Sequence, residues 1–306
     1  MDSASAEIVQ DNTGVIQERA VGARARIAAF FELTKPRIAF LLVLTAAAGF
    51  YVGSPGRLDF LRFVNTLIGI ALLAFGVSTL NQYIERVTDA LMTRTAARPL
   101  PTNRVTPTEA LVFGVVQCAL AEFYLLLLTN ATTAVMGLVV IVGYVFLYTP
   151  LKRKTSASTA IGAIPGAMPP LMGWVAASND VTLGAWALFA ILFLWQFPHF
   201  LAIAWMYRED YAKAGILMLP VLEPDGRVTV RQIVLFTLML VPVSLAPFFL
   251  GFAGVFYLAG ATVLGIWFLF ASIRLARGKT IEQARRVLVV SVLYLPLLFG
   301  LLVLGH

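Results

Sequence analysis

Asn81, Glu85 and Asp89 follow one another at four-residue spacing, directly after an apolar run, 63–80, that carries no charge. A helix turns about 100° per residue, so each four-residue step drifts only about 40°, and the three side chains share one face over roughly 12 Å of axis. Oxygen donors at the end of a membrane helix are costly to place there. Their natural employment is a hard divalent cation such as Mg2+, which takes oxygen ligands and bridges to phosphates. A plainer reading is a helix end entering water, where charges are ordinary. Glu85 beside Arg86 fits that reading; the deeper Asn81 fits it less well.

Three more stretches carry candidate chemistry. Tyr207-Arg208-Glu209-Asp210-Tyr211 leads to Lys213 and an apolar run, Ile216–Leu219. This reads as a segment folded back on the bilayer surface, able to close over a site. Asp210 is a candidate ligand for a second metal, and Arg208 and Lys213 are candidates for phosphate oxygens. Tyr148-Thr149-Pro150-Leu151-Lys152-Arg153-Lys154 is explained by membrane anchoring alone, but Lys152 and Arg153 are also placed to neutralise a diphosphate. Trp195-Gln196-Phe197-Pro198-His199-Phe200 puts an imidazole about two turns inside an apolar segment. An ionisable group at that depth is a functional candidate, against the alternative of a hydrogen bond to a neighbouring helix. Glu122, also deep, with Gln117 before it, receives no chemical role.

The elements that must position these residues are membrane helices. Of 306 residues, 59% are hydrophobic and 13% charged, where a soluble domain is nearer a quarter charged. Nine apolar segments are read: 38–54, 62–84, 108–128, 132–149, 157–177, 182–206, 231–251, 253–273 and 284–304. Most approach the roughly 20 residues a spanning helix needs. The first is short, and the fifth is interrupted by Pro165, Pro169 and Pro170. The expectation is an all-α polytopic membrane protein, about nine transmembrane helices in a bundle around a central cavity. Residues 1–27 form a polar cytoplasmic segment ahead of a single transmembrane domain, 28–306. The lone Cys118 excludes a disulfide framework.

Basic residues set the orientation. Of 23 Lys and Arg, 21 fall in the N-terminal region or in the 2–3, 4–5, 6–7 and 8–9 loops; only Arg57 and Arg62 fall on the other side. The N-terminus is therefore read as cytoplasmic and the C-terminus as outside. The net charge of +7 is mostly a topology signal, which displaces a nucleic-acid partner. The two long loops, about 85–107 and 207–230, each follow the second helix of a four-helix set, and each opens with carboxylates. A parallel internal repeat would face these two clusters across the cavity.

Metal ligands, cationic groups and a lipid-embedded bundle together suit a substrate with a diphosphate head and a long apolar tail. Metal and Lys or Arg would stabilise charge on a departing diphosphate. The membrane would shield an allylic carbocation from early capture by water. Prenyl transfer within the membrane follows as the leading expectation.

The chain also resembles the UbiA-type intramembrane prenyltransferases, and within them the branch that acts on haem. The resemblance is carried by Leu33-Thr34-Lys35-Pro36-Arg37-Ile38, Asn81-Gln82-Tyr83-Ile84-Glu85-Arg86, Asp89-Ala90-Leu91-Met92, Arg94-Thr95 and Arg98-Pro99-Leu100-Pro101. It continues through Tyr148–Arg153, Trp195-Gln196, Pro198-His199-Phe200, Asp210-Tyr211, Ala214-Gly215 and Met218-Leu219-Pro220. Relatives acting on phenolic acids usually carry Asp where Glu85 stands and lack the Pro198–Phe200 run. Leu217 and Val87-Thr88 depart from the usual pattern without touching a proposed ligand. The resemblance implies transfer of the farnesyl group of farnesyl diphosphate to a vinyl group of haem B. Water addition then gives a hydroxyethylfarnesyl side chain, with haem O and diphosphate as products. It further implies that Asn81, Glu85, Asp89 and Asp210 bind Mg2+ and form the catalytic set with His199 near the haem. Arg86, Lys152, Arg153, Arg208 and Lys213 would divide diphosphate and haem propionates between them. The implied setting is a bacterial inner membrane, with haem O handed to a haem A-forming enzyme or a terminal oxidase. A secondary transporter, favoured most by Glu122, a non-catalytic haem-handling partner of an oxidase, and a prenyltransferase for a phenolic acceptor are the rival expectations.

Overall fold

The computed structural model describes residues 11–54 and 56–306, with side chains from residue 22 onward; residues 1–10 of the polar N-terminal segment lie outside the described residues. Helix α1 (Asp11–Leu33) precedes the first span. Nine helices among the described residues are long and apolar enough to cross a membrane. They are α2 (Pro36–Gly53), α3 (Phe60–Asp89), α4 (Pro107–Leu128), α5 (Ala131–Leu151), α6 (Ser158–Ser178) and α7 (Leu183–Met206), then α10 (Arg227–Phe249), α11 (Val255–Gly278) and α12 (Ile281–Leu304). Two short helices, α8 (Arg208–Lys213) and α9 (Leu219–Leu222), occupy the long loop after α7. The all-α, nine-span expectation holds, with ends displaced by up to five residues.

Local chemistry explains where the spans begin. Thr106 and Glu109 close a reciprocal capping box around Pro107 at the start of α4, and Thr280 and Gln283 do the same for α12. Asp59 and Asn130 each accept a backbone N–H at the starts of α3 and α5. The displacement that matters is at the end of α3. The helix does not stop near residue 84 but runs to Asp89, so Asn81, Glu85 and Asp89 lie on one uninterrupted helix.

The spans pack in an order that repeats. In the first set α2 meets α3, α3 meets α4 and α4 meets α5; in the second α6 meets α7, α7 meets α10 and α10 meets α11. Helix α2 crosses α6 to join the sets, and α12 is additional, packing on α11, α7 and α2. Helices α6 and α7 are central, with 72% and 67% of their apolar windows buried, against 22% for the peripheral α5. Helix α6 breaks at Ala167, between Pro165 and the pair Pro169-Pro170. Broken helices are tolerated at membrane depth only inside protein, which is where α6 sits.

The α2–α6 crossing is unusually close. A Cβ at Gly173 would lie 2.0 Å from the Ala46 carbonyl oxygen, and one at Gly49 would lie 2.1 Å from that of Pro170. Small residues let membrane helices approach backbone to backbone, where dispersion contacts hold them. Gly173→Ala is expected to force these backbones apart and lower stability by about 1–3 kcal/mol. The control Gly300→Ala, whose Cβ meets nothing within 4 Å, is expected to leave thermal unfolding in detergent unchanged.

Candidate active site

The row on α3 ends in a cluster of buried charge. Asn81 and Asp89 are each 1% exposed. Glu85 Oε1 accepts a 2.6 Å hydrogen bond from Lys152 Nζ, and Asp89 Oδ2 accepts one of 2.7 Å from Arg98. Asn81 Oδ1 accepts from Lys35 Nζ at 2.8 Å, while Asn81 Nδ2 donates to Thr149 Oγ1 at 3.2 Å. Each member of the row thus meets a cation from a different segment: Lys35 before α2, Lys152 after α5, Arg98 in the 90–106 loop.

Backbone irregularity surrounds these contacts. Lys35 has a left-handed backbone (φ 49°), a conformation that a non-glycine residue holds only when its surroundings impose it. From Val142 to Tyr148, α5 widens into a π-helix. The Thr149 N–H reaches back five residues to the Tyr144 carbonyl, and its hydroxyl bonds the same oxygen at 2.8 Å. π-segments inside α-helices are frequent at functional sites. Tyr148 is thereby placed under Lys152, with Nζ 4.4 Å from the ring centroid, and Tyr144 packs edge-on against Tyr148.

The two ammonium groups differ. Burial, then the charge of Arg98 and Lys152, pushes Lys35 down to about 7 against the partial opposition of Glu85 and Asp89. Burial also acts to lower Lys152, but Glu85 and the two tyrosines outweigh it and hold this ammonium well above its ordinary value.

The second acidic segment closes against the first. Asp210, on α8, accepts from Thr93 Oγ1 at 3.2 Å and from the Arg94 N–H at 3.3 Å, just beyond the end of α3. Met92 packs with Ala214, Ile216 and Met218, and the Leu217 N–H donates to the Lys152 carbonyl at 2.8 Å. The folded-back segment therefore joins the 90–106 loop and the end of α5 over the row. Helix α1 adds a third wall: Ala29 and Leu33 are buried against Leu100, Val105 and Ala110.

Other expected residues stand apart from the carboxylates. Arg86 folds back onto the Tyr83 carbonyl and ring, and Arg208 onto those of Trp205. Arg153, Glu209 and Lys213 are exposed. His199 faces α12, its Nδ1 2.8 Å from Ser291 Oγ and its ring stacked 4.6 Å from that of Trp195. Trp195 Nε1 donates to the Ser291 carbonyl, so His199 belongs to an interhelical network. Its Nε2 is the nitrogen left without a hydrogen bond among the described residues. Glu122 lies against Gly137 on the peripheral α4–α5 pair, away from the row.

The spacing pattern missed Lys35, Arg98, Thr149, Tyr144 and Tyr148 as members of the site. Lys35 and Arg98 entered only as topology charges and within the resemblance. One available signal was Pro150, which removes a backbone donor near the end of α5 and disfavours regular helix there.

Among the described residues no group of three or more His, Cys, Asp or Glu closes on one point that could hold a metal ion. Yet the donor set fits Mg2+. Asp89 Oδ1 is buried without a partner, on the same helix as Asn81 and Glu85. Mg2+ keeps several waters and binds through one or two carboxylates plus substrate phosphates, not through an all-protein cage.

The profile of the UbiA prenyltransferase family matches residues 42–300. The protoheme IX farnesyltransferase of Solibacter usitatus (strain Ellin6076) is 50% identical over 286 residues, covering 90% of this chain and 98% of that protein. A solved digeranylgeranylglyceryl phosphate synthase superposes with a TM-score of 0.77 at 17% identity, over 92% of this chain and 98% of the other. A UbiA homologue from Archaeoglobus fulgidus, bound to GPP and Mg2+, gives 0.64 at 17% identity, over 90% and 99%.

The Asp89–Arg98 pair permits a direct test of its weight. Asp89→Asn leaves the guanidinium without its carboxylate and is expected to lower stability by about 3 kcal/mol. Asp89→Asn/Arg98→Met, which removes both charges, is expected to recover most of that loss in thermal unfolding.

Proposed function

The chain belongs to the UbiA prenyltransferase family, and on that premise we propose that it transfers the farnesyl group of farnesyl diphosphate to a vinyl group of haem B. The observation that carries this reading is the buried row of Asn81, Glu85 and Asp89 amid Lys35, Lys152 and Arg98, joined to the half-identity with a protoheme IX farnesyltransferase. Membership of a prenyltransferase family disfavours the transporter reading.

In this reading Asn81, Glu85 and Asp89 hold Mg2+, and Asp210 a second ion. Bound there, the metal would neutralise charge on the diphosphate and so assist its departure. Lys152 and Lys35 lie where they can turn from the α3 row to diphosphate oxygens. Arg86, Arg153, Arg208 and Lys213 supply further positive charge around the mouth for diphosphate or for the haem propionates. As the C1–O bond breaks, its electron pair leaves with diphosphate, and the vinyl carbon of haem attacks C1. Water adds to the cation so formed beside the porphyrin and gives up a proton, yielding haem O. The segment 207–222 covers the row and excludes bulk water while the allylic cation exists. His199 Nε2 is the imidazole atom available to the haem, as an iron ligand or as the base for the water step.

The same reading orients the chain. The α3 row, α8 and nearly all basic loops face the cytoplasm, where farnesyl diphosphate and Mg2+ arrive, and Arg57 and Arg62 face outward in a bacterial inner membrane. Residues 28–306 form one catalytic domain behind the polar 1–27 segment. The product would pass to a haem A-forming enzyme or a terminal oxidase.

The decisive assay combines purified protein, haem B, farnesyl diphosphate and Mg2+, with pigments resolved by mass. The expected outcome is a mass gain of one farnesyl group plus one hydroxyl; no gain defeats the assignment. Glu85→Ala and Asp89→Ala are expected to insert in the membrane and to lose turnover by at least about a hundredfold. His199→Leu is expected to lower haem affinity, read from the Soret band; unchanged affinity and turnover would remove His199 from the site.

A further inference from the structure

A second feature lies outside the site, on the lipid-facing side of α11 and α12. Between these helices runs a groove of about 400 Å³, walled by Trp267, Phe270 and Val289, each well exposed. Arg274, Arg285 and Arg286 stand at its mouth. The mouth is at the same end of the bundle as the α3 row: the Lys279 carbonyl, in the α11–α12 turn, accepts from Trp205 Nε1 near the end of α7.

The charge there is largely uncompensated. Glu282 is the one carboxylate lining the groove, and it is bonded to Arg286 at 2.5 Å. Among the described residues Arg274 and Arg285 form no ion pair. Arg274 lies 5.8 Å from the Phe270 ring centroid, at the junction of the charged mouth and the apolar wall. Loop charges that serve only topology need no cavity beneath them. Here two free guanidinium groups cap a concave apolar surface that opens to hydrocarbon.

We propose that this groove is a binding site for one anionic phospholipid, its headgroup phosphate held by Arg274 and Arg285 and an acyl chain lying along Trp267, Phe270 and Val289. Guanidinium groups pair bidentately with phosphate oxygens. A net charge on the lipid distinguishes it from a zwitterionic one, because each basic residue near a membrane surface contributes independently to anionic-lipid attraction. A soluble phosphate would satisfy the arginines and leave the apolar wall uncovered, so a lipid is the occupant that fits both parts.

The test uses the full-length protein in nanodiscs of phosphatidylcholine doped with phosphatidylglycerol carrying brominated acyl chains. The Trp267 contribution to fluorescence is obtained by difference from Trp267→Phe. Brominated phosphatidylglycerol is expected to quench that contribution at low mole fraction, well before brominated phosphatidylcholine does. Arg274→Gln/Arg285→Gln is expected to raise the half-quenching fraction about thirtyfold while thermal unfolding in pure phosphatidylcholine stays unchanged. Equal quenching by the two lipids overturns the proposal. So does relief of quenching by equimolar farnesyl diphosphate, which would make the groove a substrate site. Because the readout is fluorescence and not turnover, failure here is separable from failure of the farnesyl-transfer reading.

Discussion

Paired charge at the inner end of α3 is the constraint on which the rest of the structure depends. Glu85 and Asp89 are held away from bulk water, and a carboxylate so placed must meet a cation or remain a severe penalty. Lys152 and Arg98 meet that need, and Lys35 serves the amide of Asn81. Each cation arrives from a separate segment, so satisfying the α3 row brings together the start of α2, the end of α5 and the 90–106 loop. The α8 segment then fastens to those parts through Asp210 and the Leu217 N–H. One electrostatic requirement thus assembles the site and its cover.

The irregular backbone is distributed accordingly. The left-handed Lys35 and the π-helical turn at the end of α5 adjoin the α3 row, and the break at Ala167 lies in the central α6, while α4 is regular from Pro107 to Leu128. Regular helix satisfies every backbone group on its own and is the default in lipid. Departures from it need neighbours to supply hydrogen bonds, as Thr149 does for the Tyr144 carbonyl. The close α2–α6 crossing, made possible by Gly49 and Gly173, provides the rigid frame against which such departures hold.

An arrangement of carboxylates already matched by ammonium and guanidinium groups is also suited to a diphosphate. Those cations can exchange a carboxylate oxygen for a phosphate oxygen without losing a charged partner. A site built of compensated pairs is therefore stable before substrate arrives and retains positive charge to offer when it does. The orphaned Asp89 Oδ1 is the exception, and it is the atom whose chemistry fits a divalent ion best.

Much of this was legible from the chain alone. Hydropathy is a local property, so nine spans could be placed, with the end of α3 in error by five residues because Glu85, Arg86 and Asp89 read as loop. The four-residue spacing of Asn81, Glu85 and Asp89 determined their common face, since helix geometry is the same everywhere. What only the tertiary structure decided is which group meets which. Lys152 is 67 residues from Glu85, Lys35 is 46 from Asn81, and Ser291 is 92 from His199. Lys35 and Lys152 carry the same formal charge as Arg86 and Arg208, yet the first two turn to the row, while Arg86 folds onto Tyr83 and Arg208 onto Trp205, each three residues earlier in the chain. Sequence determines the charge of a side chain; the packing of distant helices determines the electrostatic partner it finds.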